Sequence, residues 1–275
     1  MSLAEPDPAV ARQVLREIEQ GFVGMSRAAS AVRVQTADFL ARHATELPPP
    51  PMLLRGEVGV GKSLLARLLH QVGPRADRLF LDVGLKWFPP ALIEPYLFGY
   101  EPGAVTGARE AMPGLFQVAN GATIFLDEVG LLSKGLQTKL LAVIEERTVR
   151  RVGGTRAEPV DVWIVAATNE DLRSAVQHQL FRADLYQRLA QLDLLLPPLR
   201  QRGDDILLLA EHFLARMCAE YHLPPKTFAP DARSALLVHP WPGNVREVEH
   251  VIKRVTLLDS ESHVITATML ALPKY

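Results

Sequence analysis

GEVGVGKS, residues 56–63, is the stretch of this sequence that decides the fold. It matches the pattern G-x-x-x-x-G-K-[ST], in which backbone N–H groups surround a phosphate and the lysine reaches the outer phosphates. The apolar run 52–55 precedes it and a helical pattern follows from residue 62, so the loop stands between a strand and a helix as the pattern requires. The pattern arises by chance in about one chain in a hundred of this length. A glycine-rich turn with a solvated lysine is therefore a weak alternative.

The predicted partner of this loop is a pair of acids at the end of another apolar strand, ATIFLD (122–127). Asp127 is expected to hold Mg²⁺ through its water shell, together with the Ser63 hydroxyl. Glu128 is placed to polarise an attacking water, because hydrolysis needs a base near the γ-phosphate. Asn169 ends a further strand and is expected to orient water or the γ-phosphate; a simple asparagine turn would be a comparable alternative only if this residue stood alone. ATP and Mg²⁺ are thus the predicted ligands. The residues predicted to bind the nucleotide are Gly56, Glu57, Val58, Gly59, Val60, Gly61, Lys62, Ser63, Leu64 and Asp127.

The pattern around these motifs predicts an α/β fold. Five short apolar runs without polar alternation indicate buried strands of a parallel sheet, with helices covering both faces. The predicted strands are 52–55, 79–83, 122–127, 162–168 and 192–196, and the predicted helices before residue 200 are 8–22, 26–43, 62–72, 90–97, 135–146 and 182–190.

The chain changes character at Pro197–Arg200, and only helical patterns follow, at 204–220, 230–239 and 244–257. Asp231 and Asn244 are predicted as N-caps of the last two. We expect three parts: an N-terminal helical extension (1–20), an α/β subdomain (21–200) and a small all-α lid subdomain (201–275).

Composition restricts the function classes. The 30 basic and 31 acidic residues nearly cancel, which argues against a nucleic-acid coat or a membrane-surface protein. Cys218 is the only cysteine and has apolar neighbours, so a core thiol is expected. No secretory signal or membrane span is evident, which favours a cytoplasmic protein.

The motifs of this chain, taken in order, resemble a known family. They are GEVGVGKS, FGYEPGAVTGA, ATIFLDEVG, RRVGG, AATN, FRADLYQRL, PPLRQRGDDI and WPGNVRE. The set is similar to the AAA+ domain of bacterial enhancer-binding proteins, the activators of sigma-54 RNA polymerase. The resemblance covers about residues 20–270, and a GAFTGA-type insertion separates this group from other AAA+ ATPases.

The resemblance implies a ring, usually a hexamer, with ATP at subunit interfaces and sigma-54 RNA polymerase as partner. Arg182 and Arg188 match arginine fingers that reach a neighbour's ATP, although a solvated helix face is the alternative for both. Arg246 matches the sensor II arginine. Arg151 matches the second pore loop. The predicted sigma-54 contact is a bendable, glycine-hinged loop formed by Gly103, Ala104, Val105, Thr106, Gly107 and Ala108.

Some positions depart from the family pattern. Val105 stands where the family has phenylalanine, and fully burying either side chain is worth roughly 1.5–3 kcal/mol, with the ring at the upper end. The family's asparagine that restrains the catalytic glutamate corresponds to Gly84, or to Asp82 with a two-residue shift. Tyr96 and Gln117 replace common glutamates.

These departures leave alternatives open. The favoured hypothesis is a ring ATPase that remodels sigma-54 holoenzyme. A second hypothesis is an ATP-binding regulatory AAA+ protein whose relaxed loop acts in mixed rings or on another partner. A small-molecule kinase shares only the phosphate loop. We also expect no DNA-binding domain in this chain.

Overall fold

The computed structural model describes residues 8–46, 48–258 and 262–273. Its centre is a five-stranded parallel sheet whose strands lie in the order Phe80–Gly84, Thr123–Asp127, Trp163–Thr168, Met52–Arg55 and Leu192–Leu195. Each predicted strand is confirmed to within about one residue at its ends. The strands are β1 (Met52–Arg55), β2 (Phe80–Gly84), β3 (Gly99–Tyr100), β4 (Met112–Pro113), β5 (Thr123–Asp127), β6 (Thr148–Arg150), β7 (Ala157–Pro159), β8 (Trp163–Thr168), β9 (Leu192–Leu195), β10 (Thr227–Phe228) and β11 (Val264–Ile265).

The helices include every one that the sequence pattern predicts. They are α1 (Pro8–Gly21), α2 (Arg27–Arg42), α3 (Lys62–Val72), α4 (Pro90–Phe98), α5 (Leu115–Val118), α6 (Lys134–Glu145), α7 (Leu172–Gln177), α8 (Ala183–Leu189), α9 (Asp205–Glu220), α10 (Pro230–Val238), α11 (Asn244–Leu258) and α12 (Ala267–Leu270). None of the described helices is long and apolar enough to cross a membrane.

The described residues divide into two compact units. The α/β unit contains residues 8–14, 36–46, 48–55 and 62–195. All six residues of β8 are buried, because the strand lies at the centre of the sheet and both of its faces are covered. The predicted α/β fold class with a parallel sheet is confirmed.

The helical unit contains residues 15–35, 56–61, 196–258 and 262–273. Its core includes Phe213, Trp241 and Ile252, and Cys218 is buried in the same cluster, as expected for a structural thiol. One feature was not predicted: β10 and β11 form a short parallel pair in a region whose pattern indicated helices only. Residues 56–61 belong to this unit although they precede most of it by more than a hundred positions in the chain.

Both predicted N-caps are wrong. The N-cap of α10 is Ala229, and Asp231 lies in the first turn, where its carboxylate accepts a hydrogen bond from the Ala267 backbone N–H at 3.0 Å. Asn244 is the first residue of α11, and its side chain bonds to other segments of the helical unit rather than to its own helix. At both positions the side chain forms hydrogen bonds with residues distant in the sequence instead of capping its own helix.

Candidate nucleotide site and projecting loop

Three predicted site residues of the α/β unit, Asp127, Glu128 and Asn169, lie where β5 and β8 end, at the carboxyl edge of the sheet. Strands β1 and β5 both pair with β8, and Ala167 of β8 is in register with Leu54 on one side and Asp127 on the other. The ends of β1 and β5 therefore lie about 10 Å apart, two strand spacings. Lys62, the first residue of α3, is buried, with 7% of its surface exposed. This edge is where open α/β sheets bind ligands.

One carboxylate oxygen of Asp127 is buried. Its Oδ1 accepts no hydrogen bond from any of the described residues. A buried carboxylate oxygen without a partner is costly, so a native structure that keeps one has a reason for it. A hydrated Mg²⁺ ion, which prefers oxygen ligands, would satisfy this atom. The residues present thus fit the metal that the sequence predicts.

Glu128 is held in a strained backbone conformation next to Asp127. Its φ is 64°, in the left-handed region, which costs a non-glycine residue about 1–2 kcal/mol. Its side chain is buried, and Oε2 accepts a hydrogen bond from the backbone N–H of Asn169 at 3.3 Å. Asn169 itself is exposed. The structure therefore brings the predicted base and the predicted orienting residue into direct contact.

Among the described residues, neither candidate for the family's restraining asparagine makes a hydrogen bond or ion pair with the Glu128 side chain, whose bond is to the Asn169 N–H. Gly84 pairs with Asp127 in the sheet, but a Cβ atom there would lie 2.6 Å from the Trp87 indole, so Trp87 occupies the space of a side chain. Asp82 instead faces Arg67, at 3.7 Å. Burial raises the pKa of Asp82; the charge of Arg67 opposes this shift and that of Asp127 adds to it.

The phosphate-loop segment 56–61 packs tightly within the helical unit. A Cβ atom on Gly59, whose φ is +80°, would lie 2.1 Å from the Gly243 carbonyl oxygen. The backbone N–H of Arg246 donates to the Gly59 carbonyl at 3.3 Å. The predicted sensor arginine is thus anchored by its own backbone to the predicted phosphate loop.

Glu57 of this loop makes a side-chain ion pair. The Arg200 guanidinium donates to both carboxylate oxygens, at 2.6 and 2.8 Å, and Asn244 donates to Oε2 at 3.2 Å. These bonds, that from Arg200 first, lower the pKa of Glu57 to about 2. The Glu57 side chain is therefore engaged by other segments of the helical unit.

The two predicted arginine fingers lie at α8 and have partners within the chain. Arg182 forms an ion pair with Asp184 at 2.7 Å and donates to the Thr138 hydroxyl at 3.1 Å. Arg188 forms an ion pair with Glu145 of α6. Both guanidinium groups lie at the surface, with 41% and 54% of the side chains exposed.

Residues 101–108 form two consecutive type II turns. The Ala104 N–H donates to the Glu101 carbonyl at 3.1 Å, and the Ala108 N–H donates to the Val105 carbonyl at 2.9 Å. The glycines at 103 and 107 occupy the third position of each turn with φ of 78° and 84°, the positive values that a type II turn requires. Both glycines therefore form defined turns that depend on their tolerance of positive φ.

Arg151 lies at the base of this loop. Its guanidinium forms ion pairs with Glu101 and Glu158, each at 3.3 Å, and Gln117 donates to Glu158 at 2.7 Å. Main-chain bonds add to this contact, because the Glu101 N–H donates to the Val152 carbonyl at 3.0 Å. The two segments predicted to contact the partner are thus joined into one structure.

Comparison with known proteins places these features in a family. The sigma-54 interaction domain family matches residues 24–195, and the AAA+ ATPase lid domain family matches residues 200–273. The Nif-specific regulatory protein of Herbaspirillum seropedicae is 40% identical over 252 residues, which cover 90% of this chain and 45% of that protein. The response regulator protein PilR of Pseudomonas aeruginosa is 41% identical over 247 residues, covering 90% of this chain and 54% of PilR.

A solved structure agrees with these matches. NtrX from Brucella abortus in complex with ATP superposes with a TM-score of 0.80 at 29% identity, covering 96% of this chain and 58% of NtrX. NtrX has also been solved in complex with ADP, with a TM-score of 0.79. The chain belongs to the sigma-54 interaction domain family of AAA+ proteins, which confirms the resemblance drawn from the motifs. It spans about half the length, or less, of the curated relatives it matches.

Sequence reasoning missed two sets of contacts. The position of Asn244 at the start of a helical pattern predicts a helix cap, yet asparagine also tolerates left-handed backbone, and Asn244 has a φ of 54°. Arg151 forms ion pairs with Glu101, about fifty residues earlier in the chain, and with Glu158, about seven residues later. No local sequence pattern indicates these two ion pairs.

Proposed function

We propose that this chain binds and hydrolyses ATP within a self-assembled ring, and that the cycle remodels sigma-54 RNA polymerase to open promoters. The observation that carries the proposal is one family match, over residues 24–195, that contains both the phosphate-binding signature and the projecting loop 103–108. RNA polymerase acts in the cytoplasm, so this is the proposed location.

The ring is proposed to be a hexamer in which each chain supplies one set of nucleotide residues. The loop 56–63 holds the phosphates, and Lys62 neutralises charge on the outer ones. Ser63 and Asp127 would hold Mg²⁺, which when bound would supply positive charge to the phosphates. The buried, unpaired Oδ1 of Asp127 supports this assignment. Arg246 senses the nucleotide from the start of α11.

Glu128 is the proposed general base, and Asn169 is proposed to orient the attacking water. The contact between the Glu128 carboxylate and the Asn169 N–H supports a shared role, because movement of either residue changes the position of the other. The strained backbone of Glu128 agrees with a functional position, where such strain is concentrated.

Arg182 and Arg188 are proposed to reach the ATP of a neighbouring subunit. Their ion pairs within the chain are exposed, and exposed pairs contribute only about 0–1 kcal/mol, so a triphosphate can displace them. An arginine supplied by a neighbour stabilises the transition state only after assembly. Hydrolysis then depends on ring formation.

The turn pair 103–108 and the adjoining Arg151 are proposed to contact sigma-54. The glycines and the ion pairs at the base give the loop a defined shape, which supports a binding role. Val105 is half-buried and lacks the aromatic surface typical of the family.

The test is binding of sigma-54 to the purified protein with ADP and a γ-phosphate transition-state analogue. The proposal predicts a complex that needs the analogue and is strengthened by Val105→Phe. Hydrolysis of ATP without any binding of sigma-54 by the natural protein would contradict it. Binding by Val105→Phe alone would show that the natural loop has lost this partner.

A further inference from the structure

Asn244 connects three segments of the helical unit through one fully buried amide. Its Nδ2 donates to the Val58 carbonyl at 2.9 Å and to Glu57 Oε2 at 3.2 Å, and its Oδ1 accepts from the Leu199 N–H at 2.8 Å. The residue has 0% exposure. Two of the partners are acceptors and the third is a donor, which fixes the orientation of the amide.

The backbone at Asn244 suits this task. Its φ of 54° lies in the left-handed region, where asparagine is several-fold enriched over most residues. The side chain bonds to the loop 56–61, while α11 continues from the same residue to Arg246. The backbones of Gly243 and Gly59 are in direct contact. A Cβ atom on Gly59 would lie 2.1 Å from the Gly243 carbonyl oxygen, so a side chain would not fit there.

We propose that Asn244 is a positioning residue for the phosphate-binding loop, holding the Val58 carbonyl so that the neighbouring N–H groups face the phosphates. The assignment rests on the proposed binding of ATP at residues 56–63 and goes beyond it, because Asn244 acts on the loop and not on the nucleotide. Glu57 has the matching role: its Oε2 accepts from both Asn244 and Arg200, and its Oε1 accepts from Arg200.

Replacement by aspartate separates this role from simple packing. Asn244→Asp keeps the size of the side chain and its tolerance of left-handed backbone, but it replaces two N–H donors with an oxygen that faces the Val58 carbonyl and the Glu57 carboxylate. Asn244→Gly is the second variant, because it keeps the backbone conformation and removes the amide without adding charge.

A matched control lies on the same helix. Thr256 is also fully buried, and its hydroxyl donates to the Ile252 carbonyl at 2.7 Å, away from the phosphate loop. Thr256→Val removes that hydrogen bond at nearly constant volume. This variant measures how much the loss of a buried hydrogen bond in α11 weakens nucleotide binding merely by destabilising the fold.

The experiment is calorimetric titration of each folded protein with a non-hydrolysable ATP analogue and Mg²⁺, alongside its thermal midpoint without nucleotide. We expect wild type and Thr256→Val to bind equally, and both Asn244 variants to bind at least about tenfold more weakly, equal to about 1.4 kcal/mol. Adding Glu57→Gln to Asn244→Asp restores a donor and is expected to recover part of the affinity.

Wild-type affinity in both Asn244 variants, together with a lowered thermal midpoint, would overturn the positioning role and leave a structural one. A wild-type protein that fails to bind ATP would instead overturn the proposed function. If Asn244→Asp does not fold, Asn244→Gly decides the question by the same comparison with Thr256→Val.

Discussion

Two glycine-containing loops of this chain use glycine for different physical reasons. In the phosphate loop, Gly59 has a positive φ and also lies where a methyl group would meet the Gly243 carbonyl at 2.1 Å. In the projecting loop, Gly107 has a φ of +84°, but a Cβ atom there would have no described atom within 4 Å beyond its chain neighbours. The phosphate loop needs glycine at position 59 because another backbone approaches it closely, whereas the projecting loop needs glycine at position 107 only for the positive φ of its turn. Replacing each glycine by alanine should therefore destabilise the protein by different amounts.

The largest expected effect is that of Gly59→Ala. The methyl group collides with backbone, and the left-handed conformation adds strain, so the free energy of unfolding should fall by about 3 kcal/mol. Denaturant unfolding followed by circular dichroism measures the change. A loss below about 1 kcal/mol would show that the two loops do not differ as described.

Gly107→Ala should have a smaller effect. The methyl group has open space, so only the backbone strain remains, at about 1 kcal/mol. ATP hydrolysis should stay at the wild-type rate, while binding of sigma-54 should weaken because the second turn is distorted. Parallel assays of ATPase activity and sigma-54 binding test this, and equal losses in both would refute a role confined to the projecting loop.

The smallest expected effect is a pH dependence of thermal stability that arises from Glu57 in the phosphate loop. The pKa of Glu57 is lowered from 4.5 to about 2, so its stabilising contribution is fully present above pH 4.5 and is lost as the pH falls through 2. The difference in thermal midpoint between wild type and Glu57→Gln should therefore be larger at about pH 6 than at about pH 3. The contribution is small because the ion pair is exposed. A difference that grows at low pH would contradict the assignment.

The sheet and the phosphate loop were predictable because their signals are local. An uninterrupted apolar run such as β8 indicates a buried strand, and the glycine spacing of residues 56–63 indicates the loop. The turn at Pro102-Gly103 also carries a local signal, since proline and glycine favour the second and third positions of a type II turn.

The contacts of Asn244 were not predictable from local sequence. An asparagine before a helix favours an N-cap, but here the amide bonds to Val58, 186 positions away. The unpaired oxygen of Asp127 and the strained backbone of Glu128 likewise depend on the packing of several strands. The conformational preferences of neighbouring residues do not determine which distant groups form these contacts in the folded chain.

The dependence of specific ATPase activity on protein concentration tests the central claim most directly. If Arg182 and Arg188 act on a neighbour's ATP, activity per chain should rise steeply as rings assemble and then reach a plateau. Mixing wild type with a variant carrying Arg188→Ala should lower the plateau. Specific activity that stays constant over the whole concentration range would contradict hydrolysis that depends on a neighbouring subunit.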